Sequence, residues 1–211
     1  MGKIKVVSFD LEGTLVTLDF SQSVWHEGIP ELYARRNGIS FGEAKAIVEK
    51  EYRDLGERRI EWYDIKYWFQ RFQLGDHTEV LQAYRHKVFY HPDVSPVLPS
   101  LNQEYTLIVA SSSTREFLPH LLDGVEGYFA RVFSSVSDYG HTKSPAFYRK
   151  VCQEMGIFPY EMAHIGDSWQ FDFLAPMEAG VEAFHLDRSG EVNHERSLKS
   201  LLELSPRLHG V

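Results

Sequence analysis

Apolar and polar positions change their period twice along this chain. Ile4-Lys5-Val6-Val7-Ser8-Phe9 is a short apolar run rich in β-branched residues, the pattern of a buried strand. From residue 21 to 88 the pattern turns helical, with Ile60, Tyr63, Tyr67 and Phe69 to Phe72 recurring at helical spacing. Ser40 followed by Glu43 predicts a capping box, and Asp76 followed by Glu79 predicts a second helix start. Gly38 and Gly75 fall where helices should stop. After His91-Pro92-Asp93, apolar runs and helical stretches alternate. Strands are predicted at 105–110, 131–134, 162–165 and 181–186, the last strand of the chain. Helices are predicted over about 114–122 and 144–155, and another ending near Gly180. Such alternation argues for an α/β class with a mostly parallel sheet covered on both faces. The helical block interrupts the sheet after its first strand, dividing the chain into a core of residues 1–17 and 90–211 and a helical insert of residues 18–89.

The ends of two strands carry the candidate chemistry. Asp10-Leu11-Glu12-Gly13-Thr14 follows the first run, so a carboxylate and a glycine turn arrive at the carboxyl edge of the sheet. Open α/β sheets bind their ligands at that edge. Met162-Ala163-His164-Ile165 leads in the same way into Gly166-Asp167-Ser168 and then Asp172. Asp10, Asp167 and Asp172 could converge on one cation. Acids packed closely repel unless a metal sits among them, and hard oxygen ligands favour Mg²⁺.

These residues, together with Ser111 and Lys143, resemble the four ordered motifs of the haloacid dehalogenase-like hydrolase superfamily, from residue 4 to about residue 185. The resemblance implies a Rossmann-like core with a helical cap inserted after the first motif. It also implies a Mg²⁺-dependent phosphatase acting on a small phosphorylated metabolite. Asp10 would be the nucleophile that forms an aspartyl-phosphate, splitting one hard hydrolysis into two easier steps. Glu12 would protonate the leaving alkoxide and then deprotonate the attacking water. Most phosphatases of the superfamily have aspartate at this position, and the 2-haloacid dehalogenases have tyrosine. Halide departs unprotonated, so a proton donor here favours an alkoxide leaving group over a halide. A phosphomutase also fits the motifs, and Glu12 keeps open a non-catalytic module that binds a phosphorylated ligand.

The remaining roles follow from the same resemblance. Thr14 would hydrogen-bond to hold the first loop and contact substrate. Ser111, with Ser112 after it, would bind phosphate oxygens, helped by the dipole of the helix from about Thr114. Lys143 would offset charge where Asp10 meets phosphate. The superfamily has proline directly after this lysine, whereas here the order is Lys143-Ser144-Pro145. Asp167, Asp10 and the Glu12 backbone carbonyl would hold Mg²⁺, with Asp172 behind them or acting through water.

Composition narrows the partners. Thirty acidic residues against 22 Lys and Arg give a formal charge of −8, which argues against nucleic acid. A 43% hydrophobic content supplies a substantial core. The single Cys152, in an apolar helical stretch, excludes an intrachain disulfide and reads as a buried structural thiol. No apolar run reaches bilayer length, and Met1-Gly2-Lys3-Ile4-Lys5 runs into the first strand without a signal peptide, so a cytoplasmic protein without a membrane partner is expected. The ten histidines show no metal-ligand spacing, and His164 reads as structural. Trp25 and His26 lie just after the insertion point, where a cap would meet substrate. Trp169 sits between two of the acids, where it could line the same mouth or pack under the cap.

Overall fold

In the computed structural model, which describes residues 3–208, six strands form one parallel sheet in the order β3-β2-β1-β4-β5-β6. They are β1 Val6–Phe9, β2 Thr106–Ser111, β3 Phe129–Ser134, β4 Met162–Gly166, β5 Glu182–Leu186 and β6 Ser197–Leu198. Period-two alternation sorts their side chains to two faces. Val7, Phe9, Leu107, Val109, Ala163 and Ile165 join one buried cluster. Val6, Ile108, Ala110 and Met162 join another, beneath the helices Pro145–Met155 and Ala175–Ala179. Cys152 is buried in that second cluster, as its sequence context predicts.

The strand order sets the position of the ligand crevice. β1 pairs with β2 on one side and β4 on the other, Phe9 lying opposite both Val109 and Ile165. The chain runs outward through β2 and β3, then returns to the far side of β1, so the connections diverge at the carboxyl ends of β1 and β4. A crevice opens at such a switch point. The Asp10 amide still donates to the Ile165 carbonyl at 3.0 Å, so Asp10 sits one residue beyond the sheet edge beside Gly166.

Between β1 and β2 the chain is helical. Asp19–Ser23 runs through a π-helical turn, Val24–Gly28, into Ile29–Asn37, and Phe41–Leu55, Ile65–Phe72 and Thr78–Tyr84 follow. Ser40 and Glu43 form the predicted capping box, and Gly38 closes the preceding helix at φ 64°. Where the segment leaves and rejoins the core, Thr17 N donates to Phe89 O at 2.8 Å and His91 N to Leu15 O at 3.0 Å. Most of the aromatic stripe is core: Trp68 packs edge-on to Tyr52 with centroids 4.6 Å apart and stacks on Phe72 at 5.5 Å.

Several sequence expectations need correction. Helix Ile65–Phe72 ends on Gln73, which takes the left-handed conformation at φ 56°, two residues before Gly75. The helix start expected after Asp76 is present as Thr78–Tyr84, with the Asp76 carboxylate accepting from the Thr78 amide at 2.9 Å. The helix expected over 114–122 is regular only at Leu118–Leu121, although the Leu118 amide still donates to Thr114 O at 3.1 Å. A two-residue strand, β6, follows the one expected to be last. No helix among the described residues is long and apolar enough to cross a membrane.

Candidate active site

At the switch point, Asp10, Asp167 and Asp172 each offer a carboxylate oxygen within 4.8 Å of the others. Lys143 reaches them from the residue before the Ser144 N-cap of helix Pro145–Met155, where Pro145 occupies the first turn. Its ammonium donates to Asp10 Oδ1 at 2.8 Å and to Asp172 Oδ1 at 2.5 Å, and all three groups are buried. An ammonium has three donors, so one remains for a ligand. The second oxygen of Asp10 carries no hydrogen bond among the described residues. Burial raises the Asp10 carboxyl above its ordinary value, against the opposing pull of Lys143. Burial would raise Asp172 too, but the charge of Lys143 and the hydrogen bond with His164 hold it well below the usual carboxylate range.

A buried polar chain fixes Asp172 from behind. Its Oδ2 accepts from the Ser168 amide at 3.1 Å, and its Oδ1 meets His164 Nε2 at 3.0 Å. His164 Nδ1 lies 2.9 Å from Ser8 Oγ, and Tyr148 OH lies 3.0 Å from Nε2 while donating to Phe171 O at 2.8 Å. His164 is fully buried and ties β4 to β1 and to helix Pro145–Met155. Pattern reading had no signal for Tyr148, which comes 16 residues before its histidine.

Two glycines let the acids approach. A Cβ on Gly13 would lie 2.2 Å from Asp167 Oδ2, and Gly13 also needs its φ of +79°. A Cβ on Gly166 would lie 2.4 Å from Asp172 Cγ. Gly13→Ala should therefore lose at least about 1–2 kcal/mol through backbone strain alone, or roughly 2–8 °C in Tm. It should also displace Asp167 and raise the metal concentration needed for activity. Calorimetry and a metal titration check this; unchanged values for both would show that the close approach is unimportant.

Glu12 is half-buried, and its Oε2 accepts from Ser113 Oγ at 2.7 Å. Burial raises its carboxyl above the ordinary value, with hydrogen bonds from Ser21 and Ser113 opposing. Ser113 is in turn tied to Ser111 through its amide and its hydroxyl, both at 3.2 Å. Sequence reading stopped at Ser111 and Ser112 and missed Ser113, the serine that touches Glu12. Ser111 and Ser112 both line the cavity, but the long helix expected to point its dipole there is absent. Thr14 does not line it. Its buried hydroxyl has no partner among the described residues. The loop is held instead by Leu11 O, which accepts from Thr14, Leu15 and Val16 amides, and by Arg188 Nη2, which donates to Thr14 O at 2.7 Å. Arg188 is itself clamped in both directions on the buried Asp93.

A cavity of about 350 Å³ opens over these groups. Trp25, His26, Trp62 and Tyr63 of the helical segment form part of its wall. Tyr63 is thus a wall residue, although its spacing matched the core stripe. Trp169 lies outside the wall, its ring 4.4 Å from that of Phe173 and edge-on to His185 and His194. Four carboxylates line the cavity: Asp10, Glu12, Asp167 and Asp172. Among the described residues there, Lys143 is the one Lys or Arg.

Asp167 has no cationic partner among the described residues. Partial burial and the charges of Asp10 and Asp172 push its carboxyl up to about 7. Carboxylates at such separations repel by roughly 3 kcal/mol per pair at an effective dielectric near 20. Hard oxygen donors with uncompensated charge are a donor set that fits a small divalent cation.

A family model described as haloacid dehalogenase-like hydrolase matches residues 4–180. The GMP/IMP nucleotidase YrfG of Escherichia coli (strain K12) is 32% identical over 72 residues, covering 34% of this chain and only 31% of that protein's length. A phosphoglycolate phosphatase from Vibrio vulnificus (strain YJ016) is 28% identical over 206 residues, 87% of this chain and 84% of its own. Among solved structures, a HAD phosphatase from Thermococcus onnurineus has a TM-score of 0.86 at 26% identity, covering 98% of this chain and 99% of that one. A 2-haloacid dehalogenase from Pseudomonas syringae pv. Tomato DC3000 has a TM-score of 0.72 at 21% identity over 98% of both chains, a likeness of fold alone.

Proposed function

The chain belongs to the haloacid dehalogenase-like hydrolase family, and from that premise we propose that it is a Mg²⁺-dependent phosphatase of a small phosphorylated metabolite. The observation that carries this reading is the Asp10 carboxylate, held by Lys143 through one oxygen with the other unengaged, in one cavity with Glu12. The similarity to relatives named as phosphatases supports it.

The free Asp10 oxygen attacks phosphorus, and the bond to the ester oxygen breaks. Glu12, steered by Ser113, gives that oxygen its proton and later takes one from the water that hydrolyses the aspartyl-phosphate. Lys143 directs its spare N–H at a phosphoryl oxygen, and the Ser111 and Ser112 hydroxyls orient the others. Asp10 and Asp167, with the Glu12 carbonyl, would hold the divalent cation, while Asp172 fixes Lys143. When bound, the cation supplies positive charge that offsets the phosphoryl oxygens. Residues 18–89 act as a cap, their tryptophans keeping bulk water from the acyl phosphate.

The test is phosphate release from p-nitrophenyl phosphate with Mg²⁺ present, then after chelation with EDTA. Release should stop on chelation and return when Mg²⁺ is restored; release that persists without metal defeats the reading. Asp167→Asn should raise the half-saturating Mg²⁺ concentration by more than about tenfold, since even residues behind metal ligands are worth roughly 10–100-fold. Superimposable titrations for Asp167→Asn and wild type would remove Asp167 from the ligand set.

Glu12→Gln should discriminate between leaving groups. Alkyl phosphates need a proton on their alkoxide, whereas p-nitrophenolate departs unaided, so burst rates should fall about 100-fold or more for the former, the usual worth of such a group, and little for the latter. Pre-steady-state bursts isolate the first step from water attack. Equal losses for both substrates would mean that another group supplies the proton.

A further inference from the structure

A second cavity of about 350 Å³ opens beside the first, and the two share Trp25, His26 and Trp62 in their walls. Its remaining wall comes from helix Phe41–Leu55 and the turn after it, with Tyr52, Glu49, Arg53 and Glu57. Phosphate chemistry belongs to the first cavity, so a leaving group long enough to pass the tryptophans would enter the second.

The shared walls are aromatic and held in place. Trp25 stacks on Phe117 at 5.5 Å with an interplanar angle of 17° and meets Tyr52 edge-on at 6.0 Å. Trp62 meets Tyr63 edge-on at 5.0 Å. Both tryptophans are half-buried, leaving ring surface open to the cavities. Charge points the same way. Lys143 already serves Asp10 and Asp172, and the His26 ring is engaged by Glu49 at 3.0 Å. The first cavity thus offers no spare cation to a second anionic group on a short substrate. A carboxylate two atoms from the ester oxygen would lie in a cavity lined by four acids, with Lys143 already paired. Arg53, Glu49 and Glu57 all line the second cavity, a mixture of charges suited to the donor and acceptor edge of an uncharged ring.

Resting on the phosphatase reading above, we infer that the substrate is a nucleoside monophosphate, its phosphate at Asp10 and its base in the second cavity against Trp25 and Trp62. A phenyl ester carries no further group to place in the second cavity. In a nucleotide, the ribose separates the phosphate from the base, so the two can occupy adjoining cavities. Combined volumes of this size suit a nucleotide-sized ligand.

The test uses the full chain with Mg²⁺ and measures kcat/KM for GMP, AMP, UMP, phenyl phosphate, glycerol 1-phosphate and phosphoglycolate. The nucleotides should exceed the acyclic esters by more than about tenfold, because the base can stack on the cavity's aromatic rings. Trp62→Ala should reduce that preference by about tenfold, mainly through KM, and Trp62→Phe should keep most of it. A readout without turnover is quenching of tryptophan fluorescence in Asp10→Asn protein, which GMP should produce and phosphoglycolate should not. Phosphoglycolate or glycerol phosphate equal to the nucleotides would overturn the inference while leaving the phosphatase standing. So would phenyl phosphate equal to the nucleotides, which would confine the leaving group to the first cavity. No release from any ester, p-nitrophenyl phosphate included, would overturn the phosphatase reading and this inference with it.

Discussion

Asp10→Asn protein should fold, bind Mg²⁺ and substrate, and release phosphate at least about a thousandfold more slowly than wild type. The amide keeps the shape of the carboxylate, and its carbonyl can still accept from Lys143 Nζ, now 2.8 Å from Asp10 Oδ1. What it lacks is an anionic oxygen able to form the bond to phosphorus. Removing a nucleophile from a covalent enzyme leaves only binding and electrostatic help, so losses of about 10³-fold or more are usual. KM should change little, because the oxygen is needed for bond formation rather than for holding the phosphate. Phosphate release at saturating substrate, with a thermal melt to verify folding, measures the effect. A variant that keeps a tenth of wild-type turnover would end the nucleophile assignment.

Lys143→Met should damage folding as well as catalysis. In wild type one buried ammonium serves two buried carboxylates, Asp10 and Asp172. Asp172 is fully inaccessible, so water cannot replace the lost partner. Breaking a buried pair from one side costs about 3–5 kcal/mol, or on the order of 10 °C in Tm for a chain of this size. Turnover should fall by about 10²-fold or more, as expected on losing a preorganised charge at the transferring phosphoryl group. Adding Asp172→Asn to Lys143→Met separates the two effects. The double variant should regain much of the stability, because one uncompensated charge is gone, without regaining activity. Urea denaturation and phosphate release measure both. A Lys143→Met protein as stable as wild type would show that the ion pairs do not compensate the buried acids.

The sheet was largely legible because its code is local. Short apolar runs marked β1, β2 and β4, and their ends place Asp10, Ser111 and Asp167 at the crevice. Lys143 lacked any such local pattern and came from its place in the ordered motifs. Groups missed by that reading depend on long-range partners. Ser113 meets Glu12 across 101 residues, and Ser8 meets His164 across 156. The helix expected from Thr114 is regular only at Leu118–Leu121, with the His120 amide taking the tighter bond to Phe117 O at 3.0 Å. Gln73 ends a helix where Gly75 was expected, and its side chain accepts from Arg36 Nη2 at 2.8 Å across 37 residues. Tyr63 and Phe72 shared one periodic stripe, yet only Phe72 went into the core. Periodicity reports which side chains leave water, not whether they leave it for the core or for a ligand cavity.

The central claim is that a phosphoryl group passes through Asp10. The most direct measurement mixes wild-type protein with excess p-nitrophenyl phosphate and Mg²⁺, quenches with acid during turnover, and digests the protein for mass spectrometry. The peptide carrying Asp10 should gain the mass of one phosphoryl group, and borohydride reduction should convert position 10 to homoserine. Asp10→Asn protein should show neither change. Turnover with no acyl phosphate at Asp10, or with the phosphoryl group on another residue, would contradict the account.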